Sequence, residues 1–215
     1  MNKIVFIGDI HGHDTWKPIV SKHKDADHFV FVGDYFDAFL ITPAVQIQNF
    51  KDIIKFKESN PDNVTLLIGN HDFHYMPWCR GQYGGYSHFF ATEIWELLKK
   101  NMHNLEAAWQ YNNVLVTHAG TSKTWYFEHT PEPGNMFELA DKINLLWAER
   151  PDLFNHSGKE IRGNSPMMDL FGLGRLLFVR IRLTQKSFKS LDTLRENRFQ
   201  MQIMYFVLIL YPESF

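Results

Sequence analysis

One repeated pattern constrains the fold more than any other feature of the sequence. From residue 3 to about residue 120, short apolar runs are followed by polar turns that contain glycine, and then by helical stretches. This alternation is typical of βαβ units, so it predicts an α/β fold with a parallel sheet. The predicted strands are residues 4–7, 28–32, 64–68, 105–110 and 114–117, the last two joined by a hairpin-like turn at Asn112 and Asn113.

Helices are predicted between these strands. Asp14 is suitable as the cap of the first helix, and apolar periodicity predicts further helices over residues 45–58, 88–100 and about 135–149. Lys99 and Lys100 lie at the C-terminal end of the third of these helices, where the helix dipole favours positive charge.

Four polar turns directly follow predicted strands. They are residues 8–12 (GDIHG), 33–37 (GDYFD), 69–72 (GNHD) and 117–120 (THAG). Ligands of such sheets bind outside the carboxyl ends of the strands, so we expect the functional residues in these turns. Each turn combines glycine with carboxylate, amide or imidazole groups that bind divalent metals. One such turn usually only caps backbone groups, but four that converge on one sheet edge indicate a metal site.

In order and spacing, this set of turns resembles the calcineurin-like metallophosphoesterases over residues 3 to about 120. The resemblance implies a four-layer α/β/β/α sandwich and metal-dependent hydrolysis of phosphate esters at a dinuclear centre. It also implies that Asp9 and His11 hold the first ion, that Asp34 bridges both ions, and that Asn70 and His118 hold the second.

The chemistry of these residue types agrees with that implication. Two divalent ions about 3.5–4 Å apart lower the pKa of a bridging water and neutralise charge during in-line attack on phosphorus. Mixed nitrogen and oxygen ligands suit Mn, Fe, Zn or Co better than Ca, and the sequence does not choose among them. His71 is adjacent to Asn70 and can protonate the leaving-group oxygen as a general acid, with Asp37 accepting its other N–H.

The substrate is expected to be phosphorylated: a small molecule, a nucleotide or a phosphoprotein. The phosphoprotein-phosphatase branch of the family has an arginine after the second turn, where this chain has Ala38. Arg80 or Arg162 is a candidate for the missing phosphate contact, with a solvated surface arginine as the alternative for each. The leading hypothesis is phosphomonoester hydrolysis like that of Ser/Thr phosphatases. The alternatives are a phosphodiesterase, a dinucleoside polyphosphate hydrolase, or an impaired protein that binds metal or phosphate without turnover.

Eight histidines lie outside these motifs, and we expect most of them to be surface or capping groups. His13 and His74 lie nearest to the predicted site in the sequence, and for these two the alternative is a supporting role behind the ligands. The aromatic-rich residues 75–90 form either a packed loop or a lid that faces the substrate, and a loop of this length favours a functional role.

The C-terminal segment, residues 169–215, departs from the family pattern. The family has a sixth ligand there, a histidine in a Gly-His turn, but all 11 histidines of this chain precede residue 157. The segment carries a net charge of +3, against −5 for the residues before it. Read from each third base, codons for residues 188–194 can encode Gln-(Ile or Val)-Val-Gly-His-Thr, and residues 170–175 and 201–211 give family-like segments in the same frame.

We therefore predict a phosphoesterase domain over residues 1–168, followed by an ending altered by a frameshift near residues 167–169. A naturally divergent ending is the alternative. The altered ending would leave the second sheet incomplete and one metal without a ligand. Its apolar residues 204–210 are an aggregation hazard unless they pair with the sheet.

Composition excludes several classes of partner. The net charge of −2 gives no sequence-independent attraction to nucleic acid or anionic lipid. The apolar runs are too short for a signal peptide or a membrane span, which needs roughly 20 residues. A single cysteine, Cys79, suits a reducing compartment, so the expected location is the cytoplasm.

Overall fold

A computed structural model describes residues 2–112, 114–121, 123–130, 138–155 and 205–210. Its strands and α-helices are β1 (Asn2–Ile7), α1 (Trp16–Lys22), β2 (His28–Phe31), α2 (Pro43–Ser59), β3 (Val64–Leu67), α3 (Asn70–Phe73), α4 (Ala91–Lys100), β4 (Leu105–Glu106), β5 (Ala108–Tyr111), β6 (Val114–Thr117), α5 (Lys123–His129), α6 (Leu139–Glu149) and β7 (Tyr205–Leu210). Short 3₁₀ helices cover Met102–Asn104 and Pro151–Phe154. Every predicted strand is present, although the run 105–110 divides into β4 and β5.

The strands form two sheets. In the main sheet the strand order is β4-β3-β2-β1-β7, with β1 to β4 parallel and β7 antiparallel to β1. β5 and β6 form a separate antiparallel pair, in which Tyr111 is opposite Val114. Asn112 begins the two-residue turn with a φ of 52°, the left-handed conformation that tight hairpins favour. The parallel sheet and its helices confirm the predicted α/β class.

Alternation along the main-sheet strands gives each face of that sheet its own core. On one face, Ile4, Phe6 and Val30 pack against Trp109 and Val116 of the second sheet. The intervening residues of the same strands face the opposite way, into a core shared with α1 and α2. This follows from the period of two in a strand, which sends successive side chains to opposite faces.

The second sheet is covered in turn by α6. Gln110 and Ala108 alternate with Trp109 along β5 and contact α6, where Asn144 accepts the N–H of Ala108 at 2.9 Å and Gln110 accepts that of Ala140 at 3.1 Å. The layers therefore run helices, main sheet, second sheet and helix, in agreement with the predicted α/β/β/α sandwich.

Helix boundaries differ from the predictions at several points. The expected Asp14 side-chain cap is wrong: α1 begins at Trp16, and Asp14 contributes its backbone carbonyl, which accepts the N–H of Lys17 at 3.0 Å. α2 begins two residues early at Pro43, whose fixed φ suits a first helical position. α4 begins at Ala91 instead of residue 88. α3 and α5 were not predicted, and α3 is only four polar-rich residues with no apolar periodicity to reveal it.

β7 lies within the C-terminal segment and pairs with β1 along its whole length. The register runs from Asn2 opposite Leu210 to Ile7 opposite Tyr205. Residues 205–210 of the apolar run therefore take the sheet-paired alternative, and β7 covers the edge of β1. The predicted frameshift position and the domain boundary at residue 168 lie outside the described residues. Within those residues, none of the helices combines the length and apolar character of a membrane span.

Candidate functional site

Three of the four polar turns meet at the carboxyl ends of β1, β2 and β3. The backbone N–H of His11 donates to the Asp34 carbonyl at 2.7 Å, and that of Gly12 donates to the Tyr35 carbonyl at 2.9 Å. The turns after β1 and β2 are thus joined directly through their main chains. Parallel strands deliver their following turns to the same edge, as the sequence pattern predicts.

The fourth turn does not lie on that sheet edge, which corrects the expectation of a single edge. It follows β6, which pairs antiparallel with β5 in the second sheet and does not join the parallel strands. His118 nevertheless reaches the site, since the two sheets pack face to face. Its Nδ1–H donates to the carbonyl of Val32, just after β2, at 2.7 Å.

A first group of possible metal ligands consists of Asp9, His11 and Asp34. One ligand atom from each lies within 4.8 Å of the others. The Nδ1–H of His11 donates to the Phe36 carbonyl at 2.6 Å, so its Nε2 carries no hydrogen in the neutral ring. That nitrogen lies 3.8 Å from Asp34 Oδ2. A histidine held through Nδ1 in this way presents Nε2 in the orientation that metal coordination requires.

A second group surrounds the other oxygen of Asp34. His118 Nε2 lies 3.5 Å from Asp34 Oδ1 and 3.0 Å from Asn70 Oδ1. Because the ring hydrogen of neutral His118 is on Nδ1 and is donated to Val32, Nε2 faces these oxygens with a lone pair and no hydrogen. Acceptors this close need a cation or an added proton between them. The donor set of carboxylate, amide oxygen and imidazole therefore fits a divalent transition metal.

The backbone is strained at the site. Three predicted site residues have positive φ angles: His11 at 41°, Asp34 at 55° and Asp37 at 72°. Residues other than glycine adopt such angles rarely and at a cost of order 1–3 kcal/mol each, and such residues cluster at functional sites. The tight turns therefore hold these three site residues in backbone conformations that residues other than glycine disfavour.

Asp72, the last residue of the third turn, was not predicted as a site residue. Its buried carboxylate accepts the N–H groups of Asp34 at 2.8 Å, Tyr35 at 2.7 Å and Gly69 at 2.9 Å. Burial and the nearby Asp34 charge raise the pKa of Asp72, while these three N–H donors oppose the rise. The contact also requires glycine, because a Cβ on Gly69 would overlap the Asp34 side chain. Asp72 thus fixes the turn after β2 to the turn after β3.

His71 and Asp37 form the hydrogen bond that the sequence led us to expect. Nδ1 of His71 lies 2.8 Å from Asp37 Oδ2. Burial of His71 disfavours its charged form, but the Asp37 hydrogen bond and the Asp34 charge outweigh burial and raise its pKa. Burial of Asp37 raises the pKa of its carboxyl group. The interactions with His71, His74 and Tyr75 outweigh burial, so the pKa of Asp37 is lowered overall.

Two further residues approach Asp37. His74, for which a supporting role at the site was the alternative to a surface or capping group, is buried with Nε2 2.7 Å from Asp37 Oδ2. The hydroxyl of Tyr75 donates to Asp37 Oδ1 at 2.5 Å. For His13, the other histidine near the motifs, the backbone carbonyl accepts a hydrogen bond from the side-chain N–H of Asn49 at 3.0 Å.

Residues 2–180 match the family model described as calcineurin-like phosphoesterase. The chain belongs to this family. No curated protein sequence matches the chain.

A solved structure related to this calcineurin-like phosphoesterase is a protein serine/threonine phosphatase from Saccharomyces cerevisiae with similarity to a human phosphatase. It is 22% identical, with a TM-score of 0.39, and the match covers 64% of this chain and 48% of that chain. The matched part of this chain therefore spans about half the length of that phosphatase.

Residues 75–90 of this calcineurin-like phosphoesterase pack against the site. Tyr75 and Tyr86 stack with ring centroids 4.7 Å apart, and the Tyr83 ring lies 5.6 Å from that of His71. The segment is therefore packed through its aromatic rings, and Tyr83 borders the predicted acid.

The structure describes one of the two predicted phosphate-binding arginines. Arg80 is exposed, and its backbone N–H donates to Asn155 at 2.8 Å. The pKa of Asp152 is lowered mainly by its hydrogen bond from Arg150 and in part by the Arg80 charge, so Arg80 lies on the Asp152 side of the surface. Arg162 lies outside the described residues.

The backbone of Ala38, the residue after the second turn, is held by a residue that the sequence did not mark. Gln46 of α2 accepts the N–H of Ala38 and donates to its carbonyl, both at 3.1 Å. The same amide donates to the carbonyl of Ile41 at 2.6 Å. Gln46 therefore secures the loop that leaves the second turn.

Proposed function

We propose that this chain is a metal-dependent phosphoesterase that hydrolyses phosphomonoesters. The observation that carries the proposal is the position of Asp34 between two sets of possible ligands, with Oδ2 toward His11 and Oδ1 toward His118. A carboxylate with its two oxygens directed this way is suited to bridge two cations. Membership of the calcineurin-like family supports the same reaction class.

In this proposal, Asp9 and His11 hold one divalent ion, Asn70 and His118 hold the other, and Asp34 contacts both. When bound, the ions would supply an activated water as nucleophile and stabilise the charge on the phosphoryl oxygens. Mn, Fe, Zn and Co are all compatible with these ligands. The protein supplies the orientation, since Val32 and Phe36 fix the two histidine rings through their Nδ1 atoms.

His71 is the proposed acid for the leaving group. Its Nδ1–H donates to Asp37, which leaves Nε2 as the atom that transfers a proton to the departing oxygen. The His71 ring lies edge-on to that of His11, with centroids 5.1 Å apart, so the acid borders the first ligand group. General acids of this kind contribute about 10²–10⁴ in rate.

Arg80 and Arg162 are proposed as the sources of a bidentate phosphate contact. A phosphorylated Ser or Thr side chain is the proposed substrate, on the resemblance of the four motif turns to those of Ser/Thr phosphatases. A second candidate function rests on the absence of histidine after residue 156. Without a sixth ligand, the chain would bind metal or phosphate with impaired turnover.

The test is Mn²⁺-dependent hydrolysis of p-nitrophenyl phosphate, with bound metal measured by calorimetry. Asp34→Asn should lower kcat/KM by about 100-fold or more and weaken both metal sites, because it removes the bridging charge. Asp52→Asn is the matched control, since Asp52 is paired with Lys17 on the surface at 2.8 Å. Unchanged metal stoichiometry in Asp34→Asn would contradict the bridging role.

The same assay applied to a version with the third-base reading frame restored after Met168 tests the second candidate and the altered ending. We expect the restored protein to turn over faster, because it regains the sixth ligand. Metal binding without turnover by the present chain favours the impaired protein. Equal turnover by both versions, or stop codons in that frame of the coding DNA, would contradict the frameshift proposal.

A further inference from the structure

The Asp37 carboxylate is the meeting point of three side chains. Its Oδ2 is approached by Nδ1 of His71 at 2.8 Å and by Nε2 of His74 at 2.7 Å. Its Oδ1 accepts the hydroxyl hydrogen of Tyr75 at 2.5 Å. Asp37 is buried, and so are His74 and Tyr75. Asp37 therefore has three side-chain contacts: hydrogen bonds to His71 and Tyr75, and a close contact with Nε2 of His74 that lacks hydrogen-bond geometry.

Two of these side chains lead to backbone amides of a single loop. The N–H of Tyr83 donates to Nδ1 of His74 at 3.0 Å, and the N–H of Ser87 donates to the hydroxyl oxygen of Tyr75 at 2.9 Å. Because Nδ1 of His74 accepts, the ring hydrogen lies on Nε2, which faces Asp37. Both paths therefore run from a loop amide through a side chain to one oxygen of Asp37; the Tyr75 path consists of hydrogen bonds throughout, and the His74 path ends in a close contact.

The loop between these two amides lies directly on Asp37. Gly85 has a φ of 93°, and a Cβ at this position would come within 2.9 Å of the Asp37 carbonyl oxygen. The Tyr86 ring packs against both side chains of the paths, 4.7 Å from the Tyr75 ring and 4.9 Å from the His74 ring. Residues 83–87 are therefore in place to hold the carboxylate from two sides.

A carboxylate held at both oxygens has one orientation, and its partner histidine then has one orientation too. If His74 and Tyr75 were absent, Asp37 would keep only His71 as a side-chain donor and could rotate about its side-chain bonds. His71 would then lose the fixed direction of Nε2 toward the leaving group. Misplacing a catalytic group by about 1 Å costs on the order of 100-fold in rate.

We propose that His74 and Tyr75 are positioning residues for the acid, through which residues 83–87 orient Asp37 and His71. The inference rests on the proposed function, since it requires His71 to act as the acid. It assigns a role in the reaction to a loop that holds no member of the four motifs. Asp37, His71 and His74 are also close enough together to hold a metal ion, but the proposed function places the two ions on Asp9, His11, Asp34, Asn70 and His118. In this proposal the role of Asp37 is therefore specific to the leaving group.

The experiment compares two substrates that differ in their need for an acid. Phenyl phosphate has a basic leaving group that needs protonation, whereas p-nitrophenyl phosphate has a stable leaving group. Tyr75→Phe and His74→Phe should lower kcat/KM for phenyl phosphate by about 10- to 100-fold, with about 3-fold or less for p-nitrophenyl phosphate. His74→Gln, which retains an N–H donor, should recover part of the loss.

Tyr126→Phe is the matched control. It removes a hydroxyl from a buried tyrosine of α5, outside residues 83–87, and within the described residues that hydroxyl has no hydrogen-bond partner. Its two-substrate ratio should equal that of the unchanged protein. A second readout needs no metal: the ring N–H proton of His71, assigned by its loss in His71→Asn, should be visible by NMR in Tyr126→Phe. It should broaden or shift in Tyr75→Phe and His74→Phe.

The outcomes separate this inference from the proposed function. If Asp37→Asn leaves the two-substrate ratio unchanged, the acid role itself is wrong and the inference falls with it. If Asp37→Asn changes the ratio but His74→Phe and Tyr75→Phe do not, the acid role stands and the inference is overturned. Equal losses on both substrates, together with weaker Mn²⁺ binding, would show a general structural role and would also overturn it.

Discussion

At the scale of single residues, Asp72 determines how two of the motif turns meet. Its carboxylate accepts three backbone N–H groups, and all three donors and the acceptor are buried. Asp72→Asn replaces one acceptor oxygen with an NH₂ group that faces a backbone donor. We expect a loss of about 2 kcal/mol in the free energy of unfolding, measured by urea denaturation, because a buried donor is left unpaired.

Asp52→Asn serves as the comparison for that prediction. Asp52 accepts hydrogen bonds from Lys17 and Gln48 on the surface, and exposed pairs of this kind contribute about 0.5 kcal/mol. Equal losses in the two variants would mean that the three buried hydrogen bonds of Asp72 do not stabilise the site.

The sequence predicts some site residues and not others for a physical reason. The proposed ligands and the proposed acid were recognisable in the sequence because each belongs to a turn whose residue types carry metal or acid–base chemistry. Tyr75 and Gln46 were missed, and His74 was named only with a surface group as the leading expectation, because their roles come from contacts that residue type does not report. A histidine outside a motif gives no signal of its partner until the fold brings the two together.

At the scale of elements, the contact between the two sheets includes a titratable stack. His28 of β2 stacks on Trp109 of β5 with centroids 5.3 Å apart, and its Nε2 lies 3.0 Å from the Thr65 hydroxyl oxygen. Burial, reinforced by the Lys57 charge, lowers the pKa of His28 below its ordinary value of 6.5. The folded state therefore binds this proton less readily than the unfolded chain.

The direction of the pH effect follows. Above about pH 6.5 the His28 ring is neutral in both the folded and the unfolded chain. As the pH falls below that value, the unfolded chain takes up the proton and the free energy of unfolding decreases. His28→Gln cannot titrate. The stability advantage of the unchanged protein over His28→Gln, measured in urea, should therefore shrink between about pH 7.5 and about pH 5. A constant difference would show that His28 has the same pKa in both states.

The sheet to which β6 belongs and the short helix α3 could not be predicted from the sequence. The strands were predicted because each is an apolar run bounded by a turn, but membership of a sheet was not fully predictable. β6 looks like another strand of the series, yet its hairpin with β5 places it in the second sheet. The four residues of α3 form a helix because Asp72 and Gly69 close the turn, a tertiary cause that periodicity does not report.

At the scale of the whole molecule, the main sheet depends on a strand from the C-terminal segment. Deleting residues 205–215 should uncover the edge of β1, since β7 is its neighbour on that side. We expect the thermal midpoint to fall by about 5–10 °C and self-association to rise with concentration, measured by calorimetry and analytical ultracentrifugation. Deleting only residues 211–215 keeps β7 and should change neither quantity. Matching behaviour of the two deletions would mean that β7 does not stabilise the sheet.

The pairing of β7 with β1 also has a consequence for the order of folding. A short stretch of chain separates β1 from β2, whereas nearly the whole sequence separates β1 from β7. Closing the longer loop costs more chain entropy, so the parallel core should assemble first and β7 should join it late. During that interval β1 has an open edge. Exchange of β7 between two chains at this stage would produce a domain-swapped dimer.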